Sequence, residues 1–185
     1  MNTELFLAQT KEFRSATGLP LSSSYSVLTA SAACTTEEFT ELADAMGDSI
    51  VTLAGIALQC TDEAKIDICI DKIKDIETAA DLLNIDIKTV MDKIYTANMS
   101  KLCDTEQQAV ETQSAYILLG INSYIEPVGD YFAVYSDGNQ TSTAGKFFPR
   151  GKLLKNLDWS EPDYLKVSEW LKDEALVSVL MEDLE

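Results

Sequence analysis

Histidine is absent from all 185 residues of this chain. Its absence excludes Ser-His-Asp and Cys-His catalysis and leaves acid–base chemistry to carboxylates, lysines or a metal-bound water. The four cysteines are widely spaced and form no CxxC pair, so a zinc site would require all four thiolates to converge from distant positions. Buried, reduced thiols in a reducing compartment are the simpler interpretation. We therefore expect a cytoplasmic protein.

The chain also lacks the glycine-rich loops GxGxxG and GxxxxGK[ST], by which many proteins cradle phosphates. It has no apolar run of membrane-spanning length, and its N-terminus lacks the pattern of a signal peptide. Positive charge is scarce, because 14 Lys and Arg stand against 31 Asp and Glu, a formal charge of −17. A field of this sign repels nucleic acid and anionic membranes, so we expect neither as a partner. A phosphorylated ligand would need a metal ion or a local basic patch.

Helical periodicity dominates the first part of the chain, and the pattern changes at Tyr124. From there YIEPVGDYFAVYS alternates in the manner of a strand, an Asp137-Gly138 turn follows, and KFFPRGKLLK resumes. The segment from residue 163 onward again favours a helix. We predict a mainly α fold, with a helical bundle over residues 1–122 and a small β-hairpin plus a C-terminal helix over residues 123–185.

Acidic residues of the segment from Thr36 to Gln59 fall on one side of a predicted helix, for which Thr36 is a suitable N-cap. At about 100° per residue, four of them lie within roughly 60° of one another: Glu37, Glu41, Asp44 and Asp48. Beyond Asp48 the helix is apolar nearly all round, which indicates burial. Carboxylates crowded near a core are commonly stabilised by a cation, so this face predicts a Mg²⁺ site. A solvated acidic face is the alternative.

Positive charge is concentrated in one ten-residue segment near the end of the chain. It contains Lys146, Arg150, Lys152 and Lys155 and no acid. Because it reverses the local field, we predict that it closes over a phosphorylated ligand; an exposed hairpin made soluble by its lysines is the alternative. In a helix further upstream, Asn98 and Lys101 return to the inward stripe, where polar groups need partners. The alternative there is a helix end that has left the core.

Four segments together resemble the MazG-like nucleoside triphosphate pyrophosphohydrolases, in particular the phosphoribosyl-ATP pyrophosphohydrolase-like branch of phages and bacteria. They are ELADAMGDSIVTLAGIAL, NIDIKTVMDKIYTANMSKLCDTEQQAVETQSAY, GDYFAVYSDG and GKLLKNLDWSEPDY, of which ANMSKL and GKLLK are the most specific parts. The resemblance implies an all-α fold and a homodimer or dimer of dimers. It also implies Mg²⁺-dependent cleavage of nucleoside triphosphates between the α and β phosphates.

The site residues that the resemblance implies fall into two sets. The Mg²⁺ ligands come from an ExxD motif and an EExxE motif that overlaps it, and they are Glu37, Glu38, Glu41, Asp44 and Asp48. Of these, Glu38 or Glu41 is the expected catalytic base. The expected contacts to the nucleotide or its phosphates are Asn98, Lys101, Lys152 and Lys155.

One departure from the family pattern keeps a second function open. In the family, EExxE lies on a separate helix upstream of ExxD, whereas residues 21–35 of this chain contain no acid. Substitute ligands are available further on, at Asp62, Glu63, Asp67 and Asp71. The alternative functions are a catalytically impaired nucleotide-binding or oligomeric interaction protein of the same fold, and a helical structural partner whose charges all lie on its surface.

Overall fold

The computed structural model describes residues 3–17, 25–164 and 166–181. Within these ranges the chain is mainly helical and contains a small antiparallel β-hairpin, so the predicted fold class is confirmed. The chain forms two compact units. Unit 1 comprises residues 1–87 and 166–185, and unit 2 comprises residues 88–165. The boundary predicted between residues 122 and 123 falls inside unit 2.

The helices are α1 (Thr3–Thr17), α2 (Tyr25–Gln59), α3 (Glu63–Leu82), α4 (Ile87–Met99), α5 (Glu106–Leu118) and α6 (Glu174–Met181). The strands are β1 (Ser123–Val128), β2 (Tyr131–Ser136), β3 (Gln140–Thr141) and β4 (Phe147–Phe148). β1 pairs with β2 and β3 pairs with β4, in both cases antiparallel. None of the helices in the described ranges combines the length and the apolar character that a membrane span requires.

Unit 1 is built on the packing of α3 and α6 against α2. Buried and half-buried residues of α2 and α3 recur at alternating intervals of three and four, the spacing of a coiled-coil seam. In α2 they are Ala32, Thr36, Phe39, Ala43, Met46, Ile50, Leu53 and Ala57, and in α3 they are Ile66, Cys69, Ile73, Ile76 and Ala80. Ala43 and Ala80 are fully buried. Their small side chains allow the backbones to come close.

α2 begins eleven residues before the predicted N-cap, so the assignment of Thr36 as a cap is wrong. The Thr36 hydroxyl donates a hydrogen bond to the carbonyl of Ala32 at 3.1 Å, and the Thr35 hydroxyl donates to Ser31 at 2.9 Å. Both are bonds that a hydroxyl makes to the preceding turn inside a helix. Residues 25–35 and the acidic segment that follows them form one continuous helix.

The single C-terminal helix predicted from residue 163 is also wrong. A 3₁₀ turn occupies Val167–Glu169, and α6 begins only at Glu174. Between them, Leu171 forms an antiparallel bridge with Ile85, which follows α3. Trp170 and Ile85 are fully buried. This pairing commits backbone groups to a partner that is distant in sequence, so they cannot continue a helix.

Unit 2 has β2 at its centre. β1 pairs with one edge of this strand, and on the other edge Tyr135 forms an antiparallel bridge with Leu153. The Leu154 N–H donates to the carbonyl of Val134 at 2.8 Å. A core of buried side chains lies beneath: Cys103, Ala109, Ile121, Val134, Phe148 and Leu154. The basic segment predicted from sequence is therefore anchored along β2.

The hairpin turn lies at Gly129 and Asp130, not at Asp137-Gly138 as the sequence predicted. Gly129 has a φ of +59°, a conformation that favours glycine and is common in two-residue hairpin loops. This turn divides the stretch that alternation presented as one strand. Asp137 and Gly138 instead lie on the connection from β2 to β3.

Candidate functional site

The predicted metal ligands lie along the exposed side of α2 in unit 1. Glu37, Glu38, Glu41 and Asp48 are exposed and Asp44 is half-buried. The packed seam of α2 occupies the opposite side of the helix, as the helical wheel predicts. In the part of the chain that the structure describes, no three His, Cys, Asp or Glu side chains lie close enough to hold a metal ion.

These donors do not form a Mg²⁺ site within the described part of one chain. Mg²⁺ requires oxygen ligands that converge in near-octahedral geometry, and carboxylates spread along one helix face do not converge. The substitute ligands are engaged elsewhere or exposed: Asp62 caps α3 by accepting from the Ala64 N–H at 3.1 Å, and Asp71 pairs with Lys74 at 3.1 Å. Binding of Mg²⁺, with Glu38 or Glu41 as base, stays a prediction.

Unit 2 contains a lysine, Lys155, on which three other lysines act electrostatically. We call Lys101, Lys146, Lys152 and Lys155 the lysine cluster. Partial burial lowers the pKa of Lys155 from its ordinary value of 10.5, and the positive charge of Lys146 lowers it further. Glu161 opposes this effect, while Lys101 and Lys152 add to it. Because the interaction between charges falls with distance, these side chains lie near Lys155.

Two aromatic rings support the ammonium groups. The Nζ atoms of Lys146 and Lys152 each lie 5.7 Å from the centroid of the Phe148 ring, so they are at most twice that distance apart. The Lys155 Nζ lies 3.1 Å from the centroid of the Trp159 ring. Phe148 is itself buried and packs edge-on against Tyr116. Cation–π contacts of this kind favour a fixed position for each lysine.

The sheet holds the basic segment in place. The Ser136 N–H at the end of β2 donates to the carbonyl of Lys152 at 2.9 Å, and the Gly151 N–H donates back to Ser136 at 2.8 Å. Gly151 has a φ of +75°, so the sharp approach to the strand depends on glycine. Lys155 follows the buried Leu154 and is exposed. The backbone bonds thus fix both lysines on the surface of unit 2.

The predicted pair Asn98 and Lys101 lies at the C-terminal end of α4. The Lys101 ammonium donates to the Asn98 side-chain oxygen, and both residues are half-buried. Since Lys101 also influences the pKa of Lys155, the structure brings three predicted phosphate contacts, Lys101, Lys152 and Lys155, into one region. Trp159 and Asn156, which contact the same region, were not predicted.

Within the described residues, no carboxylate lies at ion-pair distance from any member of the lysine cluster. The contrast is with six other lysines that each have a carboxylate partner: Lys65 with Asp62, Lys72 with Asp75, Lys74 with Asp71, Lys88 with Asp92, Lys166 with Glu169 and Lys172 with Asp86. In a chain with a net charge of −17, acidic groups are plentiful. The cluster therefore presents charge that its own surroundings do not neutralise.

The acidic excess of the chain is uneven between the two units. Unit 1 carries 7 Lys and Arg against 21 Asp and Glu, whereas unit 2 carries 7 against 10. Screening by salt limits surface charges to a range of about 10 Å. The field at the lysine cluster is consequently set by nearby residues rather than by the total charge of the chain.

A cavity of about 340 Å³ lies next to Trp159 in unit 2. Its lining includes Thr96, Ala97, Ser160 and Glu161. The Trp159 indole N–H donates to the carbonyl of Ala97, one of the lining residues, at 3.1 Å. Because Glu161 also acts on the pKa of Lys155, the cavity and the lysine cluster are neighbours.

No protein-family model, curated protein or solved structure matches this chain. The resemblance to the MazG-like pyrophosphohydrolases therefore stays a prediction.

Proposed function

We propose that this protein binds a nucleoside triphosphate, with the phosphates held by the lysine cluster. The observation that carries the proposal is that these four lysines lie together and lack carboxylate partners, while six other lysines of the described chain each pair with a carboxylate. A triphosphate carries several negative charges in one short chain. Lysine ammonium groups bind phosphate oxygens as point charges, and such charge-assisted contacts are stronger than neutral hydrogen bonds.

The surroundings of Trp159 suit the nucleoside part of the ligand. Its cavity has a volume in the range of small-molecule sites, which runs from about 300 to 1,000 Å³. Hydroxyl, carboxylate and ammonium groups line it, and such groups bond to sugar hydroxyls and base edges. They belong to Thr96, Ser160, Asp92, Glu161, Asp163 and Lys93. A ligand with its phosphates at Lys155 could extend past Trp159 into this space.

Hydrolysis is the larger proposal that the resemblance supports. It would give nucleoside monophosphate and diphosphate and would require Mg²⁺ held by the carboxylates of α2. No three acidic side chains converge in the described part of one chain, so nucleotide binding is the part of this proposal that the geometry supports best. The cytoplasm, where nucleoside triphosphates are abundant, is the proposed location.

A homodimer, or a dimer of dimers, is proposed as the assembly. It is supported by exposed apolar residues at the end of α2, namely Val51, Ile56 and Leu58, in the stretch that the sequence shows as apolar nearly all round. Sedimentation at micromolar concentration tests this point. A monomer would contradict it.

Calorimetric titration tests the proposed function. The ligands are the four ribonucleoside triphosphates, the four deoxyribonucleoside triphosphates and inorganic tripolyphosphate, each with and without Mg²⁺. We expect at least one nucleotide to bind more tightly than tripolyphosphate, and lysine-cluster variants to weaken both. No binding of any ligand would refute the proposal. Diphosphate release measured on the same mixtures separates an enzyme from a binding protein.

A further inference from the structure

We infer that Asn156 is a positioning residue that holds Lys101 and Lys155 in one constellation for phosphate binding. The inference rests on the proposed function, because it concerns how the same site is assembled. Lys101 and Lys155 lie at the ends of different segments, one after α4 and one after the strand-like residues 152–154. Something must fix the distance between them, and Asn156 connects the two segments directly.

The contacts of Asn156 show this connection. Its backbone N–H donates to the carbonyl of Lys101 at 3.2 Å, and its side-chain amide donates to the carbonyl of Leu102 at 3.0 Å. Its side-chain oxygen accepts from the Asp158 N–H at 3.3 Å and from the Thr112 hydroxyl at 3.5 Å. The side chain therefore uses its donor toward the Lys101 segment and its acceptor toward its own loop and α5.

Asn156 is buried, so the loss of its side-chain hydrogen bonds would be costly. Asn156 is 7% exposed and Thr112 is fully buried, so water does not compete freely for their polar groups. A buried amide that lost its partners would be costly, and an apolar residue would fill the space without that constraint. A buried, bonded amide specifies one arrangement of the segments it joins. Here that arrangement includes the backbone of two lysines.

Trp159 provides a second connection between this loop and α4. The Trp159 indole N–H donates to the carbonyl of Ala97 on α4 at 3.1 Å, and the Trp159 backbone N–H donates to the Asn156 carbonyl at 3.0 Å. Residues 156–159 thus form a short turn that is fastened to the end of α4 at two points. Removal of the Asn156 side chain leaves the Trp159 connection and the backbone bond to Lys101, so we expect the fold of unit 2 to persist. The segment that carries Lys101 loses its bond at Leu102, and we expect the Lys101 ammonium group to shift as a result.

A double-mutant cycle on tripolyphosphate binding tests the inference. Asn156→Leu keeps the branched shape of the side chain and removes all three of its hydrogen bonds. It is combined with Lys101→Ala and, separately, with Lys152→Ala. Within the described residues, Asn156 forms no hydrogen bond with the Lys152 side chain. All affinities are measured at a temperature where thermal melts show every variant folded. Ile121→Val, a substitution in the core of unit 2, is the control for stability loss alone.

We expect Asn156→Leu to weaken tripolyphosphate binding about five- to tenfold, which corresponds to loss of one charged contact. In the Lys101→Ala background it should have little further effect, because the group it positions is gone. In the Lys152→Ala background the two losses should multiply. Ile121→Val should lower the melting temperature and leave affinity unchanged.

The inference fails if Asn156→Leu leaves the wild-type affinity unchanged, or weakens binding by the same factor in the wild-type and Lys101→Ala backgrounds. In either case Lys152→Ala still weakens binding if the proposed function is right. If wild-type protein binds no tripolyphosphate, the proposed function and this inference fall together. Should Asn156→Leu not fold, Asn156→Ala, which removes the same bonds with a smaller side chain, runs through the same cycle and is judged by the same results.

Discussion

Removal of Lys152 and Lys155 together should weaken triphosphate binding strongly. The double variant Lys152→Ala/Lys155→Ala deletes two of the four charges of the lysine cluster and keeps Phe148 and Trp159. Both lysine side chains are exposed at their ends, so substitution should disturb the fold little. Loss of affinity would therefore report on the charges themselves.

The size of the effect follows from the geometry. Lys146 and Lys152 lie at most twice 5.7 Å apart, so their mutual repulsion in water is about 0.4 kcal/mol or more. This cost is small, which is why the cluster can persist in the free protein. A contact between an exposed lysine and a phosphate is worth about 1 kcal/mol, at the upper end for exposed ion pairs. Two such contacts give about 2 kcal/mol, or a roughly thirtyfold rise in Kd.

The matched control is Lys65→Ala/Lys166→Ala in unit 1. It changes the net charge by the same amount, and both residues are exposed lysines that pair with carboxylates, Asp62 and Glu169. Calorimetric titration of the same nucleotide into each variant gives the two affinities. We expect a roughly thirtyfold loss for the cluster variant and less than a twofold loss for the control. Equal losses would show that net charge alone governs binding and would refute the reasoning.

Three further results are expected. The pKa of Lys155 is lowered from 10.5, so as the pH rises this side chain loses its proton before an ordinary lysine does. Triphosphate affinity should therefore fall as the pH rises through that pKa, and titrations of Lys155→Ala should lack this step. Burial raises the pKa of the Cys103 thiol, so in the native protein Ellman's reagent should modify the exposed Cys34 much faster than Cys103. Trp170→Ala should lower the free energy of unfolding by about 3–5 kcal/mol in a denaturant titration, because the side chain is fully buried. A pH step that persists in Lys155→Ala would contradict the first prediction, and equal modification rates of the two thiols would contradict the second. A loss of less than about 1 kcal/mol in the free energy of unfolding of Trp170→Ala would contradict the third.

Local sequence signals predicted much of the helical part correctly. Helical periodicity predicted that the part of the chain before Tyr124 is helical, and α1 to α5 all lie there. The change of period at Tyr124 also marks the start of the strands. These features depend on neighbours in sequence, for which residue type and spacing carry the relevant physics.

The errors have physical causes that spacing does not reveal. A threonine hydroxyl can cap a helix or bond to the preceding turn, and at Thr36 the long packed seam of α2 decides the outcome. Both Gly129 and Asp137-Gly138 are residues that favour a turn. The hairpin turn forms at Gly129 because β1 pairs with β2 on either side of it. The break before α6 depends on Ile85, which is far away in the chain.

The candidate site was predictable only in part for the same reason. The basic segment is visible in the sequence because its charges are adjacent. Its proximity to Lys101 depends on hydrogen bonds from Asn156 that span 54 residues, and a single asparagine in a loop carries no such signal. Six other lysines form ion pairs with carboxylates, and the lysine cluster is recognised by contrast with them. This contrast can be seen only in the three-dimensional structure.

The most direct test of the central claim uses the two tryptophans as internal probes. The Trp159 indole belongs to unit 2 and supports Lys155, whereas Trp170 is fully buried in unit 1. In a ¹⁵N-labelled protein each indole N–H gives one signal, and Trp159→Phe assigns them. Titration with a nucleoside triphosphate should shift the Trp159 signal in a saturable way and leave the Trp170 signal in place. A Trp159 signal that stays unchanged at millimolar nucleotide, or equal shifts of both signals, would contradict phosphate binding at the lysine cluster.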